Sequence, residues 1–294
     1  MITDEWREEI HLFRCHGDRL LGIATCPHKM TETGVLIVVG GPQYRSGSHR
    51  QFTLLARQLA DRGIPSYRFD YRGMGDSEGP KQCFTTINDD IKAAIDSFTE
   101  HHPEIKSIVI WGLCDAASAA LLYVNSDPRV KGLVLLNPWV QIGGLSAKVK
   151  FSHYYFPRLV TREFWKKVFS REMEFSSAIR EFFDAIKQSN THQENPNTPV
   201  EPSSYVEKML AALTSYKGEV LIILSGNDFT AQEFITLTST DRRWNNAIRA
   251  KQVTSKTLAG ASHTFSTKTW RDTVADWTIT WLLQLENKLK TSSS

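Results

Sequence analysis

Short apolar runs recur along the chain with amphipathic stretches between them. Val35-Leu36-Ile37-Val38-Val39, Ser66-Tyr67-Arg68-Phe69, Ile108-Val109-Ile110-Trp111, Gly132-Leu133-Val134-Leu135-Leu136 and Val220-Leu221-Ile222-Ile223-Leu224 read as strands. Their near-continuous apolarity is what strands covered on both faces require. The intervening stretches predict helices from about Arg50 to Asp61, stopped at Gly63, from about Thr86 to Phe98, and directly after Cys114. Such βα alternation predicts an α/β domain with a mostly parallel sheet and helices on both faces.

The two ends of the pattern differ from its middle. Ile10 to Pro27 reads as two strands joined at Gly17-Asp18, a hairpin that would give the sheet an antiparallel N-terminal edge. After Leu224 come a helix, a strand near Gln252 to Leu258 and an amphipathic helix from about Trp270 to Lys288, with Thr291 to Ser294 as a frayed tail. The sheet would then have eight strands.

Beyond Asn137-Pro138 the alternation stops. From Gly144 to about Lys187 the chain is helix-like and rich in aromatics such as Tyr154, Phe164, Trp165 and Phe182, interleaved with Lys and Arg, and Gln188 to Ser204 reads as a loop. Residues 144–216 are therefore expected to be a helical cap inserted into a core made of 1–143 and 217–294. The aromatics would either face an apolar acyl or lipid-like substrate or form the cap's own core. The interleaved bases would either be solvated or touch an anionic membrane surface.

Composition narrows the function classes. Over 294 residues the formal net charge is +3, and no stretch joins clustered bases to an aromatic platform, so a nucleic-acid partner is not expected. Cys15, Cys26, Cys83 and Cys114 lie far apart, with no CxxC pair and no ligand-like spacing to histidine. No metal, cofactor or disulfide framework is expected, and free thiols suit a reducing cytoplasm. Met1 to Trp6 lacks an apolar secretory core, and no apolar run reaches membrane-spanning length.

Candidate chemistry centres on Gly112-Leu113-Cys114-Asp115-Ala116, between an apolar run and a helix-like Ala-rich stretch. Small residues two places before and after a nucleophile are what a sharp strand-to-helix turn needs. Buried inert cysteine is the competing role for Cys114. A thiol nucleophile needs a base and the base an orienting acid. His263 follows the last strand and Asp228 the strand before it, so both fall at strand carboxyl ends, where sites of open parallel sheets gather. Asp228 has helix capping as its plainer role.

An oxyanion hole would take the backbone N–H of Asp115 and a second donor from Gly40-Gly41-Pro42-Gln43. Proline has no N–H, which leaves Gly41 first and Gln43 in reserve. The Asp115 carboxylate either caps the following helix or faces the cleft. The glycine-rich stretches at Gly40-Gly41 and Gly73 to Gly79 lack the spacing and partners of a nucleotide site.

Taken together, Val39-Gly40-Gly41-Pro42, Asp70-Tyr71-Arg72-Gly73-Met74-Gly75-Asp76-Ser77, the Cys114 turn, Ser225-Gly226-Asn227-Asp228 and the His263 loop resemble the α/β-hydrolase superfamily, in its serine aminopeptidase and lysophospholipase-like branch. The order Cys114, Asp228, His263 is the nucleophile, acid, base order of that superfamily. More narrowly, Gly40 to Arg45 with Gly47 to Phe52, Gly112 to Ala116 and His263 to Ser266 resemble the exosortase A system-associated hydrolase 1 family. That resemblance implies a bacterial protein encoded near exopolysaccharide and protein-sorting machinery. The expected activity is hydrolysis of an ester or thioester of a small-molecule acyl substrate through an acyl-enzyme. Acyl transfer by the same triad and a non-catalytic binding role for the fold are the alternatives, the first because cysteine stands where serine is usual.

Overall fold

The computed structural model describes residues 6–41, 43–140 and 204–292. The strands are β1 (Trp6–Cys15), β2 (Asp18–Pro27), β3 (Thr33–Val38), β4 (Ser66–Asp70), β5 (Ser107–Leu113), β6 (Val130–Leu136), β7 (Glu219–Ser225) and β8 (Val253–Leu258). They form one sheet in the spatial order β1-β2-β4-β3-β5-β6-β7-β8. The first two pairings, β1 with β2 and β2 with β4, are antiparallel, and all the others are parallel. This is the mostly parallel eight-stranded α/β-hydrolase sheet with an antiparallel N-terminal edge.

The hairpin turns one residue earlier than the sequence suggests. Cys15 pairs with Asp18, and the turn residues His16 and Gly17 have φ of 51° and 90°. Two left-handed residues in succession suit the right-handed twist of the flanking strands.

Among the described residues the helices are α1 (Gln51–Ala60), α2 (Asn88–His101), α3 (Asp115–Tyr123), α4 (Ser204–Ser215), α5 (Phe229–Thr240), α6 (Arg242–Ile248) and α7 (Lys268–Ser292). Where one helix was expected after β7 there are two. The chain breaks at Asp241, which is extended and whose carboxylate accepts the Arg243 N–H at 2.7 Å, a cap that starts α6. At the other end, α7 absorbs Thr291 of the expected tail, because its hydroxyl donates back to the Lys288 carbonyl at 2.9 Å.

One face of the sheet packs on α1 and α7. Val35, Ile37, Trp111, Val134 and Leu221 from the strands meet Phe52, Leu59 and Leu282, all essentially buried. The Phe52 ring stands edge-on to Trp111 at 5.6 Å between centroids. These contacts fix the β3 to α1 connection over the carboxyl end of β5.

The expected cap, 144–216, lies outside the described residues up to 203. Its last stretch is α4, whose Val206, Met209 and Leu213 are buried, and the following Tyr216 donates its hydroxyl to the Val130 carbonyl at 3.2 Å. Met1–Val140 and Tyr205–Ser294 together make one compact unit.

Candidate active site

Cys114 sits between β5 and α3 with φ 62° and ψ −124°, a strained conformation that a non-glycine residue holds only where its surroundings enforce it. Hydrogen bonds enforce it here. The Cys114 N–H donates to Leu136 at 2.8 Å, and its carbonyl accepts from Ala117 at 3.1 Å and Trp139 at 3.2 Å. The glycine at 112 is demanded by closeness: a Cβ there would lie 2.6 Å from the Ala116 carbonyl carbon and 2.7 Å from the Ala117 nitrogen. Gly112→Val is expected to cost about 2–3 kcal/mol by overpacking, read as a lower midpoint in chemical denaturation.

The carboxyl ends of β3, β5, β6, β7 and β8 lie along one edge of the sheet. There Gly41, Gln43, Phe52, Cys114, Asp115 and His263 line a cleft of about 160 Å³. A larger groove of about 470 Å³ runs past Val130, Tyr216 and Glu219, at the opposite ends of β6 and β7. Ligands of open parallel sheets bind at the carboxyl ends, which favours the smaller cleft.

Asp228 makes two contacts through one oxygen. Its Oδ2 accepts the Ala231 N–H at 3.0 Å, capping α5, and also stands 2.9 Å from His263 Nδ1. The carboxylate is nearly buried and the ring about one-third exposed. Asp228, and after it the Cys114 thiol, raise the His263 pKa to about 10 against the opposing pull of burial. A raised pKa means the folded state holds its proton more tightly than the unfolded chain. The resulting stabilisation is complete below the ordinary value of 6.5 and is lost as pH climbs through about 10. Urea midpoints across that window are expected to fall more in the wild type than in Asp228→Asn.

Two residues to which the sequence assigned no individual role hold the His263 loop. Asn137, buried at the end of β6 with φ 44°, donates its amide to the His263 carbonyl at 3.0 Å and to Ser225 Oγ at 2.7 Å. Its Oδ1 accepts the Ser225 N–H at 2.8 Å, and Ser225 Oγ donates to the Ser262 carbonyl at 3.0 Å. A polar residue directly after an apolar strand, in Leu136-Asn137-Pro138, was the available signal.

Of the two leading donors expected for an oxyanion, Gly41 is already engaged. The Gly41 N–H donates to Asp115 Oδ2 at 2.9 Å, and Asp115 Oδ1 accepts the Ala116 N–H at 3.0 Å. The Asp115 carboxylate therefore both caps α3 and reaches across to the β3 loop. Burial raises its pKa, while the Gly41 and Ala116 amides and then His263 pull the other way. The carboxylate leaves room only for glycine at position 40, where a Cβ would lie 2.2 Å from Asp115 Oδ1. The Gln43 N–H makes a long contact of 3.4 Å to the Gly40 carbonyl.

The Asp70 to Ser77 string braces this loop from below. Buried Asp70 accepts the Arg45 N–H at 2.7 Å and pairs with the Arg45 guanidinium, whose other arm reaches Asp76 at 2.7 Å. Ser77 Oγ donates to the Asp70 carbonyl at 2.6 Å. Gly75, at φ 52°, allows that closure, since a Cβ there would lie 2.2 Å from Asp70 Oδ2.

The family profile described as "Serine aminopeptidase, S33" matches residues 32–267. The chain belongs to that family. It is an enzyme of the α/β-hydrolase superfamily, and the profile runs from the start of β3 past the His263 loop. Solved structures similar to this hydrolase include the Pyrococcus furiosus esterase Pf2001, 15% identical over 96% of this chain and 93% of that one, with a TM-score of 0.64. A fungal esterase from Rhizomucor miehei is 17% identical over 97% and 85%, with a TM-score of 0.64. A carboxyl esterase from Bacillus coagulans is 14% identical over 95% and 99%, with a TM-score of 0.63. No curated protein matches the hydrolase.

Proposed function

We propose that this hydrolase cleaves an ester or thioester through an acyl-enzyme on Cys114, with His263 and Asp228 completing a Cys-His-Asp triad. The main support is the contact of Asp228 Oδ2 with His263 Nδ1, in a ring that stands beside the strained Cys114 turn. The Cys114 sulfur, its proton already held on His263, attacks the substrate carbonyl carbon, and the carbonyl electron pair moves onto oxygen. The N–H groups of Asp115 and Gly41, with Gln43 in reserve, receive that oxyanion. Collapse expels the alcohol or thiol, which leaves with the proton from His263. Water then gives a proton to His263, attacks the thioester and releases the acid and the Cys114 thiol.

For Gly41 to serve, the Asp115 carboxylate has to turn aside, since it accepts that N–H at rest. Removing the carboxylate frees the donor and takes a negative charge away from the developing oxyanion. Asp115→Ala is expected to speed acylation by an activated ester at least about fivefold, a fraction of what one oxyanion donor contributes. Slower acylation in a folded Asp115→Ala protein would count against that role.

Names of similar structures support esterase-like chemistry, as each is called an esterase. Cysteine at the turn favours a second reading, acyl transfer, because a thioester passes its acyl group to alcohols and amines as well as to water. The aromatics Phe84, Trp139 and Tyr205 pack together with ring separations of 5.3–5.8 Å, and the Trp139 backbone N–H donates to the Cys114 carbonyl, which supports an apolar acyl chain. A cap inserted after β6, peripheral membrane contact, a cytoplasmic location and membership of the exosortase-associated family belong to the same proposal. Among the described residues no helix is long and apolar enough to cross a membrane.

A chain-length series of acyl thioesters and p-nitrophenyl esters tests the proposal. A burst of one acyl group per chain followed by slower release is the expected result. Steady release with no burst, unchanged in His263→Ala, would oppose it.

A further inference from the structure

His102 precedes β5 and Cys114 follows it. A seven-residue strand separates the ends of β5 by roughly 20 Å. Around His102, at the end remote from the cleft, stands a group of side chains that the acyl chemistry does not use. His11 of β1 and His102 after α2 are 6% and 3% exposed. Glu9, two residues before His11 and so on the same face of β1, directs Oε2 between the two rings, 3.5 Å from His11 Nε2 and 3.5 Å from His102 Nε2. One ligand atom from each of the three falls within 4.8 Å of the others.

These separations are long for hydrogen bonds to a carboxylate, which run near 2.7–2.9 Å. They match the edge of a tetrahedron around an ion whose N and O ligands lie at about 2.0–2.1 Å, an edge of about 3.4 Å. The surroundings resemble an outer shell. The second Glu9 oxygen, Oε1, is bound by the Arg7 guanidinium, and Glu104 lies 3.9 Å from His102 Nδ1, the nitrogen turned away from Glu9. His11 Nδ1 is buried with no hydrogen-bond partner, and its ring stacks on His101 at 3.9 Å. Glu9 is about one-quarter exposed, so a path from solvent exists.

We propose that Glu9, His11 and His102 bind a divalent transition-metal ion of the zinc class, with the fourth position open to water or to the Cys26 thiol, 3.4 Å from His102 Nε2. The ion would tie the edge strand β1 to the end of α2. The site is independent of the acyl chemistry.

Full-length protein stripped with chelator and titrated with Zn²⁺ tests this, in a Cys114→Ala background that removes the cleft thiol as a rival ligand. One Zn²⁺ per chain, a higher melting temperature and slower amide exchange in β1 are the expected results. Glu9→Gln, at a partly exposed position where folding is not at stake, is expected to weaken binding at least about tenfold, and His11→Gln similarly. Absence of saturable binding, or binding that both variants leave unchanged, would overturn the assignment.

Discussion

Cys114→Ala is expected to lower turnover of an activated thioester about 10⁴-fold or more, with the melting temperature nearly unchanged. Removing a nucleophile that acts in concert with its base abolishes almost the whole covalent route. What remains is the contribution of binding and backbone donors. Alanine fits the turn, because Cys114 is held by its backbone bonds to Leu136, Ala117 and Trp139 and not by its sulfur. Stopped-flow acylation with a parallel thermal melt separates loss of chemistry from loss of fold.

Asp228→Asn is expected to cost about 10⁴-fold in turnover at neutral pH. Asparagine keeps an oxygen that can still accept from Ala231, so the cap on α5 survives. The same oxygen still faces His263 Nδ1, but the charge that holds the proton on the ring is lost. The His263 pKa of about 10 should then fall toward its ordinary 6.5, which an NMR titration of the ring reads directly. A ring that titrates alike in both proteins would mean that the carboxylate does not act on it.

Much of this was legible before any coordinates. Continuous apolar runs located the buried strands, and the small residues at 112 and 116 located the turn, where the close approach of the Ala116 backbone excludes anything larger than glycine at 112. The order of Cys114, Asp228 and His263 pointed to three strand carboxyl ends, and each residue does follow a strand. Side-chain hydrogen bonding was not legible. Nothing local distinguishes an Asp115 that only caps α3 from one that also reaches Gly41, 74 residues away. Asn137 looked like loop punctuation, yet it carries the His263 carbonyl. The Glu9, His11 and His102 group escaped a search for ligand spacing because β1 and the end of α2 supply it from distant parts of the chain.

Direct observation of the covalent intermediate bears most closely on the mechanism. Mixing the protein with an acyl thioester, quenching in acid within milliseconds and mapping the mass increment by peptide should place one acyl group on Cys114, with none in Cys114→Ala. An acyl group on any other residue, or product formed with no adduct and at equal rate in Cys114→Ala, would contradict it.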